Sequence, residues 1–471
     1  MALLDALPEE LLHDVLGHVH RTSDSSNNLF NVLTVARKYC RIAKDILYKA
    51  PRLLKPGSKS QLSWNDRRAH QLGGLLQRLV AEPGLARQVE KLDLCIIFER
   101  SSELCTWSSI ECPKIEHWPS WETFSALVDE LHIGPKSSEG VFYLRTAYSR
   151  HLITRFEPAT VSLILAVVPS LRNLALHTYI QTHHEGLPGK FRRRSIHFKE
   201  WYGRAIIRKP DAIIGLANLV NLKSNDLLFW PLMCKPKVHS LEMILPIATA
   251  VPRHSRLPDM NFNISSSITT LIIGVKCYAW NDGLSIYVLK LTERLPCLTK
   301  LQFSISGHLK DFELAGGYEF TLTRIEAPAL QTLVFETRGI KYNTESANDE
   351  DLILAQSSQI KSLTRFPDLR RIVGPVEAFM AHSNQEPCVF PRSINSIEIV
   401  NSLDEQVPGF VHTLVESDNL PNLKSILVWQ NRKDNPECQD IIVQEEVRAW
   451  SQRRGIVISS GKGDMGLSQG W

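Results

Sequence analysis

One short frame recurs along this chain, and it constrains the fold more than any other feature. "QVEKLDL" spaces Val89, Leu92 and Leu94 by three and two residues. The frame returns in "PSLRNLAL" (Leu171, Leu174, Leu176), "PCLTKLQF" (Leu298, Leu301, Phe303), "PALQTLVF" (Leu330, Leu333, Phe335) and "PNLKSILV" (Leu423, Ile426, Val428). Weaker copies begin at Leu219, Val238, Ile268, Leu369 and Ile394. From Ile268 onward the copies start at 268, 298, 330, 369, 394 and 423, steps of 30, 32, 39, 25 and 29 residues. A near-constant step of that size marks stacked structural repeats.

The frame has a physical rationale. In a short strand its first, fourth and sixth positions point into a shared core, where each buried aliphatic side chain contributes roughly 1.5–3 kcal/mol. A single unit has nowhere to hide that face, whereas stacked units hide it for one another. Helical patterns lie between copies, in "LSIYVLKLTERLP", "DLILAQSSQIKSLTRFP" and "EVRAWSQRRG". The repeat unit is therefore read as strand, loop, helix, turn, and the fold class as α/β with a parallel sheet. Residues between the leucines then face outward on a concave surface. In the stronger copies they are Asn173, Ala175 and His177; Lys300, Gln302 and Ser304; Thr332, Val334 and Glu336; and Ser425, Leu427 and Trp429.

At 471 residues the chain exceeds one ordinary core. No apolar run approaches the roughly 18–20 residues that span a bilayer. Asp5, Glu9 and Glu10 stand where a secretory signal would carry basic residues. The nine cysteines are scattered without a C-x-x-C pair, a usage that suits a reducing compartment. Together these features predict an intracellular protein, cytoplasmic, nuclear or both, with no membrane partner. The net charge of +4 is local: Lys190 to Lys209 holds eight basic residues against Glu200 alone, and the rest of the chain is nearly neutral.

Ahead of the repeats lies a helical stretch. In "LLDALPEELLHDVLGHVH", Leu4, Leu7, Leu11, Leu12, Val15, Leu16 and Val19 form one helical stripe, with Pro8 near its start and two acids behind it. After the polar "RTSDSSNN", the segment "LFNVLTVARKYCRIAKDILYKAP" carries two further short helical patterns ended by Pro51. Three short helices bury little by themselves, so another surface must complete them. The resulting division is a helical module over 1–50, a connector over 51–70, a solenoid over 71–459 with a basic insertion at about 178–210, and a flexible tail over 460–471.

The two parts together resemble F-box proteins with an irregular leucine-rich-repeat-like substrate domain, of the kind common in fungi. Leu7 and Pro8 match that family's LP pair; Leu11, Leu12, Val15 and Leu16 its first helix; Val35, Tyr39, Ile42, Ile46 and Leu47 its closing helix. The resemblance implies a non-catalytic subunit of an SCF (Skp, cullin, F-box) ubiquitin ligase. Those residues would dock a Skp-type linker protein and, through it, a cullin, while the repeats hold an unknown target protein. Asn173, His177, Lys300, Gln302, Thr332, Glu336, Ser425 and Trp429 are the candidate target-facing residues. Three features depart from the family pattern: "VARKYC" in the closing helix, the long loop "HRTSDSSNN", and Tyr179, Ser306 and Arg338 where the repeat consensus has asparagine, with Asn431 conforming.

Other readings rank below this one. A freestanding repeat scaffold capped by the N-terminal helices needs no ubiquitin role. "KFRRRSIHFKEWYGRAIIRK" interleaves aromatics with cations as nucleic-acid surfaces do, but a solvated insertion explains it with less, and nucleic acid is the least favoured partner. "GKGDMG" imitates a dinucleotide fingerprint but has no following helix to hold a pyrophosphate. Cys105, Cys112, His117 and His183-His184 match no common zinc spacing. No catalytic motif, metal site or cofactor is predicted.

Overall fold

The computed structural model describes residues 8–22, 42–43, 46–51, 62–99, 157–181, 214–224, 237–244, 267–276, 288–289, 291–308, 318, 322, 325–341, 359–380, 388–400, 407–430 and 445–462. The chain is α/β with parallel strands. It divides into two compact units, Met1–Val238 and His239–Trp471. The N-terminal helices thus share a unit with the first strands.

In the first unit, helix α1 (Glu9–Thr22) begins just after Pro8, whose carbonyl accepts the Leu12 N–H at 3.1 Å. Helix α2 (Leu62–Ala81) starts well inside the stretch read as a connector and buries Leu72, Leu76 and Leu79, a stripe at helical spacing. A single helical turn, α3 (Pro83–Ala86), follows with proline in its first turn. Strand β1 (Lys91–Glu99) leads on to helix α4 (Glu157–Val167), which is apolar nearly all round and packs between α2 and β1. Strands β2 (Asn173–Gln181) and β3 (Asn221–Ser224) complete a parallel trio, with Leu92, Leu174 and Leu222 in one buried row. β2 runs into the first residues assigned to the basic insertion.

Among the described residues the second unit carries eight strands in chain order: β4 (Ser240–Ile244), β5 (Thr270–Lys276), β6 (Lys300–His308), β7 (Thr332–Lys341), β8 (Arg371–Gly374), β9 (Ser396–Ile399), β10 (Ser425–Gln430) and β11 (Val457–Lys462). Helices α5 (Val407–Glu416) and α6 (Glu445–Arg454) pack together, and α6 also meets β11. Each copy of the frame, weak or strong, has become a strand. β11 is an additional one, and it extends to Lys462, into the stretch read as a tail.

Register explains the frame. Leu241, Leu271, Leu301, Leu333, Ile372, Ile397, Ile426 and Ile458 stand side by side across β4–β11. The next inward row reads Met243, Ile273, Phe303, Phe335, Gly374, Ile399 and Val428. Glycine interrupts that row because another side chain fills its place. A Cβ on Gly374 would lie 3.0 Å from two ring atoms of Phe379, which follows a 3-10 turn over Val376–Ala378. Phe379 stacks on Phe410 at 6.2 Å and meets Phe335 edge-on at 6.5 Å, and Phe335 in turn stacks on Phe303 at 5.6 Å.

A second regularity lies in the backbone. A carbonyl just ahead of a strand recurrently accepts two N–H groups from the next repeat: His239 O from Thr269 and Thr270, Thr299 O from Gln331 and Thr332, Arg370 O from Asn395 and Ser396. Glu90 O and Arg172 O do the same in the first unit. There the ladder extends back to the helical module, since the Glu90 N–H donates to Lys49 O at 3.0 Å.

Two helical expectations meet different outcomes. "EVRAWSQRRG" forms α6, closed by Gly455 at φ +66° with the Ile456 N–H donating to Ser451 O at 3.1 Å, a left-handed helix stop. In "DLILAQSSQIKSLTRFP", residues 359–367 are not helical. Ile360 N–H donates to Ala378 O and Val389 N–H to Lys361 O, while Ser362 Oγ takes the Thr364 N–H at 3.3 Å. Pairing with distant backbone and a local serine turn outcompete the helix there.

Candidate interaction surfaces

The first candidate surface is on α1. Its apolar stripe divides in two. Leu12 and Leu16 are buried with Ile42, Ala43, Ile46 and Leu47 in one cluster. Leu11 and Val15, one turn apart, remain 50% and 43% exposed. Of the eleven residues assigned to linker docking, Leu12, Leu16, Ile42, Ile46 and Leu47 therefore form the inside of the module. Pro8, Leu11 and Val15 lie on its outside. Leu7, Val35 and Tyr39 lie outside the described residues. Tyr48 ties the module to α2, its hydroxyl accepting from Arg78 Nη1 at 3.1 Å, and that bond holds the guanidinium above its usual range. Lys49 pairs with Glu90 at 3.2 Å.

The second candidate surface is the face of the strands opposite the leucine rows. In the first unit Asn173 and His177 are half-buried there: Asn221 Nδ2 donates to Asn173 Oδ1 at 2.7 Å, and His177 lies 3.6 Å from Asp93. In the second unit Lys300, Thr332, Ser425 and Trp429 are also half-buried. Gln302 and Glu336 are not surface residues: they are 3% and 7% exposed. Strands sit about 4.8 Å apart, so a side chain in the middle of a row is walled in by its neighbours. Val334 is fully buried too, and with Val373 and Val400 it forms a second apolar cluster against which Trp429 packs.

Two charged residues of this face were missed because they fall in weaker copies of the frame. Arg371 Nε donates to Glu398 Oε1 at 2.6 Å, and Trp429 Nε1 donates to Glu398 Oε2 at 3.3 Å. The carboxylate is thus gripped at both oxygens, one of the two donors being itself charged. Extending the outward positions to the copies at Leu369 and Ile394 would have found both. Lys300 lies in the same row as Arg371, two strands away. Burial, and then the Arg371 charge, hold its ammonium below the usual lysine range.

Other sequence candidates lie wholly or largely outside the described residues: the basic stretch from Lys190 to Lys209, Cys105, Cys112, His117, His183-His184, and "GKGDMG" beyond Lys462. No described helix is long and apolar enough to cross a membrane. In comparisons with known proteins the chain matches no family model and no curated relative.

Proposed function

We propose that this protein is a non-catalytic substrate-recognition subunit of an SCF-type ubiquitin ligase, docking a Skp-type linker through its N-terminal helices and a target protein through its leucine-rich-repeat-like strands. One observation carries the reading: α1 spends Leu12 and Leu16 on its own core yet leaves Leu11 and Val15 outside as an adjacent apolar pair. A helix that merely completed its own module would have no use for the second pair, whereas a helix that also meets a partner would. The subunit's contribution is proximity. It raises the effective concentration of target lysines at the ligase without supplying a reacting group.

The test is co-purification of the full chain with a Skp-type linker. Wild type should be captured, and Leu11→Asp with Val15→Asp should abolish capture while the repeats stay folded by circular dichroism. Failure of the wild type to bind any such linker would sink the proposal.

A second reading draws on the Glu90 to Lys49 hydrogen bond. Lys49 O occupies the place in the backbone ladder that a preceding repeat would fill, which favours a capped, freestanding repeat scaffold. The same experiment separates the two, because a cap has no need of Leu11 and Val15 at its surface.

A further inference from the structure

The first outward row of the second unit has a composition unlike its neighbours. Across β4–β10 it reads Ser240, Thr270, Lys300, Thr332, Arg371, Ser396 and Ser425, placed side by side by the strand register. Every member on these seven strands is a hydroxyl or a cation, and none is a carboxylate; on β11 the row ends in Val457. The adjacent outward row instead contains Ile272, Val334, Val373 and Leu427 together with Glu242, Gln302 and Glu398. In that second row Val334, Val373, Gln302 and Glu398 are buried, so at the centre of the sheet the accessible part of this face is the polar, positively charged line.

Within the line, Lys300 and Arg371 flank Thr332. Two strand spacings set their backbones about 9.6 Å apart. Arg371 touches Glu398 through Nε, which leaves the end-on pair of Nη atoms as the approach for a second anion. Thr332 lies between them. This spacing suits two separate carboxylates better than one shared phosphate. Two cations are also few for nucleic acid, whose affinity grows with the number of phosphates neutralised.

We propose that the Lys300–Thr332–Arg371 line seats an acidic segment of a partner polypeptide, its Asp or Glu carboxylates meeting the ammonium and guanidinium. This rests on the reading that the repeats hold a target. Charge complementarity selects the occupant, because a bound carboxylate offsets the burial and mutual repulsion that disfavour the Lys300 charge.

The test measures fluorescence anisotropy of the full chain with a labelled alternating Glu-Val decapeptide, its Gln-Val counterpart, and a ten-residue oligothymidylate. The Glu-Val peptide should bind, weaken with added salt, and lose about tenfold in affinity with Lys300→Met or Arg371→Gln, equivalent to about 1.4 kcal/mol. Lys300→Arg should retain binding. Equal binding of the Gln-Val peptide, tighter binding of the oligonucleotide, salt-independent wild-type binding, or an unchanged affinity for Lys300→Met would overturn the proposal. Linker capture is read on the same preparations. Peptide binding lost with capture intact refutes the acidic seat alone; capture absent with peptide binding intact refutes the ubiquitin-ligase reading alone.

Discussion

Phe379 and Gly374 should behave as one unit, and the geometry sets the size of their coupling. Phe379 is 1% exposed, with ring neighbours Phe335 at 6.5 Å, Phe390 at 5.8 Å and Phe410 at 6.2 Å. Phe379→Ala opens a void beside a residue with no side chain to move into it. Its cost should lie near the upper end of about 3–5 kcal/mol. Gly374→Ala places a Cβ 3.0 Å from the Phe379 ring and 3.4 Å from Phe335 Cβ, an overpacking worth about 1–3 kcal/mol. In the double variant the ring that obstructs the new methyl is gone and the methyl fills part of the void. The double loss should therefore fall short of the sum by about 1–3 kcal/mol. Hydrogen exchange of a peptide spanning Ile372–Met380, read by mass spectrometry, reports this locally without requiring both compact units to unfold together. About 4 kcal/mol corresponds to roughly a thousandfold faster exchange. Additivity of the two single losses to within about 0.5 kcal/mol would refute the account of why glycine stands in the row.

Two further predictions follow from burial. Leu12→Ala should destabilise the helical module by about 2–5 kcal/mol, whereas Leu11→Ala should change it by no more than about 0.5 kcal/mol; equal exchange rates across Glu9–Thr22 in the two variants would contradict the division of the stripe. Lys300→Met should be more stable than wild type at neutral pH, because the folded state holds the ammonium below its ordinary pKa of 10.5. As pH rises through that lowered folded value toward 10.5, the folded lysine is neutral while the unfolded one still binds its proton, so wild type gains stability and the gap in melting temperature narrows. Arg371 is the charge acting on Lys300, and its row neighbours Thr270 and Thr332 do not titrate. A gap that widens with pH would show the sign to be wrong.

Much of the fold was legible because its unit is short and its period is in the sequence. The spacing of Leu171, Leu174 and Leu176 is enough to predict a strand with one apolar face, and copies as faint as those at Val238 or Ile394 still fold as strands. β11 escaped because its buried Ile456 and its strand residue Ile458 do not keep the spacing of three and two. The helix expected over residues 351–367 is not formed at 359–367 for a non-local reason: the backbone partners there, Ala378 and Val389, are remote in sequence. The candidate surfaces were less legible. Alternation says which side of a strand a residue occupies but not whether that side is open, and so Gln302 and Glu336 appeared exposed when they are buried. Valines at 334, 373 and 400 carried the missing signal, being apolar residues on the outward side of consecutive strands.

The repeat, the parallel sheet, the membership of the leucine rows and the amphipathic character of α1 were determined by sequence alone, because each depends on spacing along a single strand or helix. Which half of the α1 stripe faces inward, which outward rows are closed, and why Arg371, Glu398 and Trp429 meet were decided only by tertiary structure. These depend on strand register and on what packs above a face. Residues 27 and 31 positions apart become neighbours there, and no local pattern encodes that distance.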